Sequence, residues 1–202
     1  LTSPKHNMSS TSASSALEIT NRGLILVGAS TISAFTEDSE EGRVSTALYE
    51  DTIQTLLCSA RWRFATKQVA LNQSGSDPLA RYEHKYQLPS DYLMLHAITV
   101  NDLILEYNVY GDEVYADSTS TDSLIADYTF RQTESNFPSY FILLAEYKLA
   151  TIFATALARD ENLAALFENQ TDKLMQQAKT LDAQQQTTRK LVTSRFITDR
   201  RS

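Results

Sequence analysis

Apolar and polar positions along the chain follow two periods, and the change from one to the other divides it. Residues 1–14 are rich in Ser and Thr and have no period, which predicts a flexible N-terminal arm. Ser15-Ala16-Leu17-Glu18 has the capping-box pattern, a Ser at the cap and a Glu three residues on. A short helix is expected behind it, with Leu17, Leu24, Ile25 and Val27 on its apolar side and Gly28 as its stop. Thr31 to Phe35 reads as an extended connection. Asp38-Ser39-Glu40-Glu41 then opens a second helix, with acids at the positive end of the dipole. Val44, Leu48, Ile53, Leu56 and Leu57 carry its period to about Arg61.

After Trp62 the period shortens. Seven of the ten tyrosines lie between Tyr82 and Tyr128, among short β-rich runs separated by turn residues. The runs are Phe64–Leu71, Tyr82–Gln87, Leu93–Val100, Leu103–Tyr107, Glu113–Ala116 and Leu124–Phe130. Asn101-Asp102 and Gly111-Asp112 sit between runs as tight hairpin turns do.

The helical period returns at Pro138, a residue suited to a first turn. Phe141, Leu144, Ala145, Leu149, Ile152, Phe153 and Ala156 mark what should be the most buried helix. Asp160 is the expected N-cap of a last helix built on Leu163, Leu166, Phe167, Leu174, Ala178 and Leu181. Residues Asp182 to Arg189 read as too polar to be buried in a lone subunit.

The expected fold class is therefore α+β: a four-helix bundle with an inserted antiparallel β meander of five or six short strands and an extended C-terminal tail. In domain terms, residues 15–62 and 137–188 would form the helical bundle. Residues 63–136 would form the inserted β domain. Residues 189–202 would be a basic docking tail.

Composition narrows the function classes. The chain has 202 residues, 42% of them hydrophobic, enough to bury a core. No apolar run is expected to reach the roughly 20 residues that span a bilayer, because Glu146 and Lys148 interrupt the richest stretch. The first ten residues carry no apolar segment of the signal-peptide kind. Cys58 is the only cysteine, so no intrachain disulfide or thiolate zinc cluster can form, and folding in a reducing cytosol is expected.

The net charge is −7, against a simple nucleic-acid binder. It is unevenly spread. Residues 183–202 carry +4, leaving −11 on the rest, and Tyr86 to Phe130 holds eight acids with no Lys or Arg. Asp102, Glu106, Asp112, Glu113, Asp117 and Asp122 are the candidate acidic surface.

Catalytic signatures are missing from the sequence. There is no nucleophile elbow, no Walker loop and no G-x-G-x-x-G. His84 and His96 lie in β-like runs and read as sheet residues. The acids between Asp102 and Asp127 could hold a general acid/base pair, and Asp117 and Asp122 could bracket a calcium loop, though without EF-hand spacing. The plainer reading is a solvated acidic face.

Arg61-Trp62-Arg63-Phe64 could form a cation–π ligand surface, or Trp62 and Phe64 could close the junction between helices and sheet. The second is the reading adopted. In the tail, Arg189, Lys190, Arg195, Arg200 and Arg201 are interleaved with Leu191, Val192, Phe196 and Ile197. A purely solvated tail has no use for those apolar groups, whereas a segment that docks in a partner does.

Four motifs, in this order, resemble a known family. The first is Asn21-Arg22-Gly23-Leu24-Ile25-Leu26-Val27-Gly28 followed by Ile32-Ser33-Ala34-Phe35. The second is the long helix running into Ser59-Ala60-Arg61-Trp62-Arg63-Phe64. The third is Tyr86-Gln87-Leu88-Pro89-Ser90-Asp91-Tyr92-Leu93, a Leu-Pro-x-Asp-Tyr-Leu step. The fourth is Tyr107 through Gly111 to Val114-Tyr115, followed by Pro138 and the apolar helix. Together they resemble tail tubular protein A, the head-to-tail adaptor family of short-tailed bacteriophages, over about Ala16 to Leu181. The chain departs from the family at Ala29-Ser30-Thr31, where acid and proline often stand, and in the tail.

The resemblance implies a structural virion protein of the tail neck, assembled in the host cytoplasm. It implies a dodecameric ring of copies of itself, bound to the portal protein above and the tail nozzle protein below, with tail fibres as a further partner. Double-stranded DNA would pass through the lumen during ejection, past an acidic wall that repels it. No catalytic residue, metal or cofactor and no membrane is expected. Arg189, Lys190, Arg195, Phe196, Ile197, Arg200 and Arg201 are the expected portal-docking residues. The rival expectations are a cytosolic enzyme or calcium-binding protein using the acidic β block, and a carbohydrate- or peptide-binding module using the tyrosine-rich sheet.

Overall fold

The computed structural model describes residues 13–75, 78, 81–118 and 123–185. Among these are four α-helices: α1 (Ala16–Leu26), α2 (Glu40–Cys58), α3 (Ser139–Phe153) and α4 (Glu161–Ala183). There are eight strands: β1 (Thr66–Ala70), β2 (Asn72–Gln73), β3 (His84–Gln87), β4 (Tyr92–Val100), β5 (Leu103–Ile104), β6 (Tyr107–Tyr110), β7 (Glu113–Ala116) and β8 (Ile125–Phe130).

Local chemistry sets the helix ends. Ser15 Oγ accepts from Glu18 N at 3.2 Å, while the Glu18 carboxylate reaches back to accept from Ser14 N at 2.6 Å. Gly28 takes a φ of 74°, the left-handed turn that ends α1. Just beyond it, the Asn21 side chain accepts from Ile32 N and donates to Ile32 O, both at 2.9 Å, which folds the chain back against α1. At the start of α4, Asp160 Oδ1 accepts from Asn162 N and Leu163 N, both at 3.0 Å.

α3 is the hub of the helical layer. Phe141, Leu144, Ala145, Leu149 and Phe153 are fully buried in a core shared with Ile19, Leu24, Ile53, Leu57 and Trp62. α1 crosses it closely at Gly23, where a Cβ would stand 3.2 Å from both Glu146 O and Leu149 Cβ. The apolar run expected to be too short for a membrane is in fact of spanning length: Ser139–Ala158 is 20 residues with a mean hydropathy of 1.6. It continues through a π-turn at Ala154–Ala158, and half of the stretch is buried inside the structure. Ile25, assigned to the core side of α1, points outward at 61% exposure.

The expected four-helix bundle with a small meander is not what forms. The β residues make two four-stranded antiparallel sheets, in the orders β1-β8-β4-β5 and β2-β3-β7-β6. A meander pairs sequential neighbours, but β8 returns to lie between β1 and β4, so the first and last strands of the insert are partners. The run expected at Leu103–Tyr107 divides, β5 going to one sheet and β6 to the other. β1 and β2 likewise belong to different sheets with only Leu71 between them. Tyr86, Ile98, Val114, Ala116, Leu124, Ala126 and Tyr128 from both sheets close a second core. On the helical side, α4 packs chiefly on α3, and α2 turns part of its surface to β4 and β8.

The β module has a near and a far end. Thr66, Phe130 and Tyr92, at the ends of β1, β8 and β4, adjoin the helices, and Leu93 packs into the helical core. β4 runs away from there for nine residues, about 30 Å at 3.3 Å each, to a hairpin turn. Asn101 and Asp102 in that turn have φ of 50° and 65°, the left-handed pair of a two-residue hairpin.

Candidate interaction surfaces

The near end is built from Trp62 and Phe64 outward. Trp62 is fully buried, its Nε1 donating to Leu56 O at 2.8 Å. Its ring lies 5.4 Å from that of Phe141, and Phe64 stands 4.9 Å from the same ring. Phe64 also stacks edge-on with Phe137, so the aromatic group joins the helix-to-sheet turn to both sides of α3's start.

Polar ties reinforce it. Arg131, just past β8, donates to both oxygens of Glu50 on α2, at 2.7 and 2.9 Å, and to Glu134. Burial works against the Arg131 charge, but the two carboxylates outweigh it and hold its pKa above the usual guanidinium value. Arg131 in turn holds the Glu50 carboxyl below its ordinary range. Tyr49 donates to Glu134 at 3.2 Å. Burial first, then Glu134, pushes its phenol up.

Asp182, expected to lie in a polar and unburied stretch, is 5% exposed. It is buried because its donors come with it: Tyr140 OH at 2.8 Å and Arg63 N at 3.1 Å. Beside it a cleft of about 160 Å³ is lined in part by Arg61, Arg63 and Lys179.

The acidic window is partly neutralised from outside. Lys67 pairs with Asp91, Lys85 with Glu113 at 2.9 Å, and Arg61 with Asp127. The Lys85 ammonium holds the Glu113 carboxyl below its usual range. Burial raises the Asp91 carboxyl, but Lys67 and the Tyr128 hydroxyl outweigh it. These three cations precede the window in sequence and reach it only through β1–β8 and β3–β7 pairing, so no local signal marks them. His96 Nε2 lies 2.8 Å from Thr129 Oγ1. Burial, with Arg61 nearby, lowers its pKa.

Asp102, Glu106, Asp112 and Asp117 have no ion pair among the described residues. Asp102 and Glu106 are exposed, Asp112 accepts from Gln87 Nε2 at 2.8 Å, and Asp117 accepts from Glu83 N at 3.0 Å. Glu106 and Asp117 share a far-end cleft of about 410 Å³ with Tyr82, Leu105, Tyr107 and Asn108. Asn108 Nδ2 donates to Tyr82 OH. Next to this cleft in sequence are the two most exposed large aliphatic residues among those described, Leu103 at 73% and Ile104 at 80%. Neither they nor Tyr82 stood out in the sequence, because an aliphatic pair in a β run reads as core.

Asp122 and the whole set Arg189, Lys190, Arg195, Phe196, Ile197, Arg200 and Arg201 lie outside the described residues. Among the described residues no group of three or more His, Cys, Asp or Glu side chains is placed to hold a metal ion. Compared with known proteins, the chain matches no protein-family model, and no curated protein matches it significantly.

Proposed function

We propose that this chain is a structural virion subunit, a head-to-tail adaptor that assembles with copies of itself into a ring between the portal and the tail nozzle. DNA passes through the ring during ejection, and no reaction is catalysed. The proposal starts from the ordered motifs that resemble the adaptor family.

The observation that carries it furthest is where bare aliphatic side chains lie. Ile25 on α1, Leu143 on α3 and Leu166 and Leu181 on α4 are each more than 40% exposed, as are Leu103 and Ile104 at the far end of the β module. Such groups, spread over both layers, are what a subunit with neighbours beside, above and below it can bury. The motif residues also have structural work that suits a rigid wedge. Asn21 pins the turn after α1, Gly23 permits the close crossing of α3, and Trp62 joins the layers.

The test is made on particles and on the tail segment. Purified tailed virions should contain the chain in many copies at the neck. The variant Phe196→Asp should fold normally but no longer co-sediment with portal protein. Complete, infectious particles that lack the chain would end the proposal.

A further inference from the structure

We infer that the far end of the β module is a docking site for a partner polypeptide that presents a lysine or arginine between bulky aliphatic residues. The inference does not rest on the ring.

Three observations meet at one place. The first is the cleft of about 410 Å³, lined among others by Tyr82, Tyr107, Glu106 and Asp117. Among the described residues neither carboxylate has an ion-pair partner and no cation lines the cleft. Two carboxylates beside tyrosine rings are the surroundings an ammonium or guanidinium group takes when it leaves bulk water.

The second is the Leu103-Ile104 pair, which precedes the cleft residue Leu105 in the chain. It stands beyond the cleft on a hairpin whose left-handed turn fixes its direction. A small cation would fill the cleft and leave this pair in water. A segment with aliphatic residues flanking its cation covers both.

The third is the backbone. Tyr107 and Asn108 belong to β6, the edge strand of its sheet, so an extended segment lying along the cleft can hydrogen-bond to the outer side of that strand. Charge decides the partner. Glu106 and Asp117 stand outside the three ion pairs, and Arg81, beside Tyr82 in the chain, offsets one of these two charges, so the cleft keeps a net negative charge among the described residues. An acidic segment or nucleic acid would be repelled.

The experiment uses the full chain and a fluorescein-labelled synthetic peptide, Gly-Leu-Arg-Ile-Arg-Leu-Gly, read by fluorescence anisotropy. Saturable binding that weakens with added salt is expected. Glu106→Gln with Asp117→Asn should raise Kd about tenfold, and Leu103→Ser with Ile104→Ser should do the same. Both variants should melt where the parent does, which separates lost docking from lost fold.

Four results would overturn the inference. They are no saturable binding, equal binding of the analogue with Glu in place of Arg, an affinity unmoved by either variant, and displacement of the peptide by maltohexaose, which would make the cleft a saccharide site. Peptide capture needs only the folded chain. Particles without the chain would therefore end the ring proposal and leave this one standing, and loss of capture would do the reverse.

Discussion

The two ends of the β module are treated in opposite ways by the same stretch of sequence. At the near end, aromatic rings are buried against α3 and polar groups are tied to helices on both sides: Arg131 to Glu50, Tyr49 to Glu134, and Asp182 to Tyr140 and Arg63. At the far end, a turn of two left-handed residues carries two bare aliphatic groups beside carboxylates that have no counter-ion among the described residues. Stabilising interactions are concentrated where orientation must be fixed. The opposite end keeps an aliphatic pair in water, which only a partner would cover.

The comparison can be broken by substitution, and the largest effect is expected at Arg131. Arg131→Met removes the partner of Glu50 and Glu134 in a half-buried site. It should cost about 2–3 kcal/mol, seen as a thermal midpoint lower by roughly 6–10 °C. If that variant melts like the parent, the near end is held by its rings alone. Asp182→Ala comes next. It removes the acceptor of the Tyr140 hydroxyl and of the Arg63 amide and should cost about 2 kcal/mol in a denaturant titration.

A smaller effect follows from His96, which lies beside Arg61 and Asp127. Burial, followed by the Arg61 charge, holds its folded pKa below its ordinary 6.5. The unfolded chain therefore takes up the proton first as pH falls, so stability is lost from about pH 6.5 downward. Carboxylates held low, such as Glu50, Asp91 and Glu113, add their own loss only below their ordinary values near 4. Glu146, whose carboxyl burial raises, works the other way, so the check is the difference: between pH 7 and pH 5 the parent should lose more thermal midpoint than His96→Asn does. The smallest effect belongs to the far end: Leu103→Ser with Ile104→Ser should change stability by no more than about 0.5 kcal/mol. A large loss there would mean the pair is part of the core after all.

How much of this could be read beforehand depended on the range of the interaction. Ser15 and Asp160 act within four residues of themselves, and both caps are legible in the sequence. The apolar period of α3 is equally local. The sheet order is not, because β8 takes its place between β1 and β4 through pairs some sixty residues apart, such as Thr66 with Thr129. Asp182 misled for a related reason: a carboxylate looks polar until its distant donors are known. Ile25 misled because its helix packs by a glycine, so the buried stripe falls on Ile19, Thr20, Gly23 and Leu24. At the candidate site, the acids were visible as a run. The lysines that cancel some of them, and the aliphatic pair that makes the rest interesting, were visible only in the fold.

The helical core has a further consequence, for synthesis. It is assembled from residues Ala13 to Ala65 and Phe137 to Ala178, with the β module encoded between them. α1 and α2 therefore leave the ribosome long before α3, the helix on which both must dock, has been translated. The intervening module can close its own core first. Until the later half arrives, the earliest helices hold out apolar stripes with nothing to cover them, and they are the part of the nascent polypeptide that a chaperone would be expected to grasp.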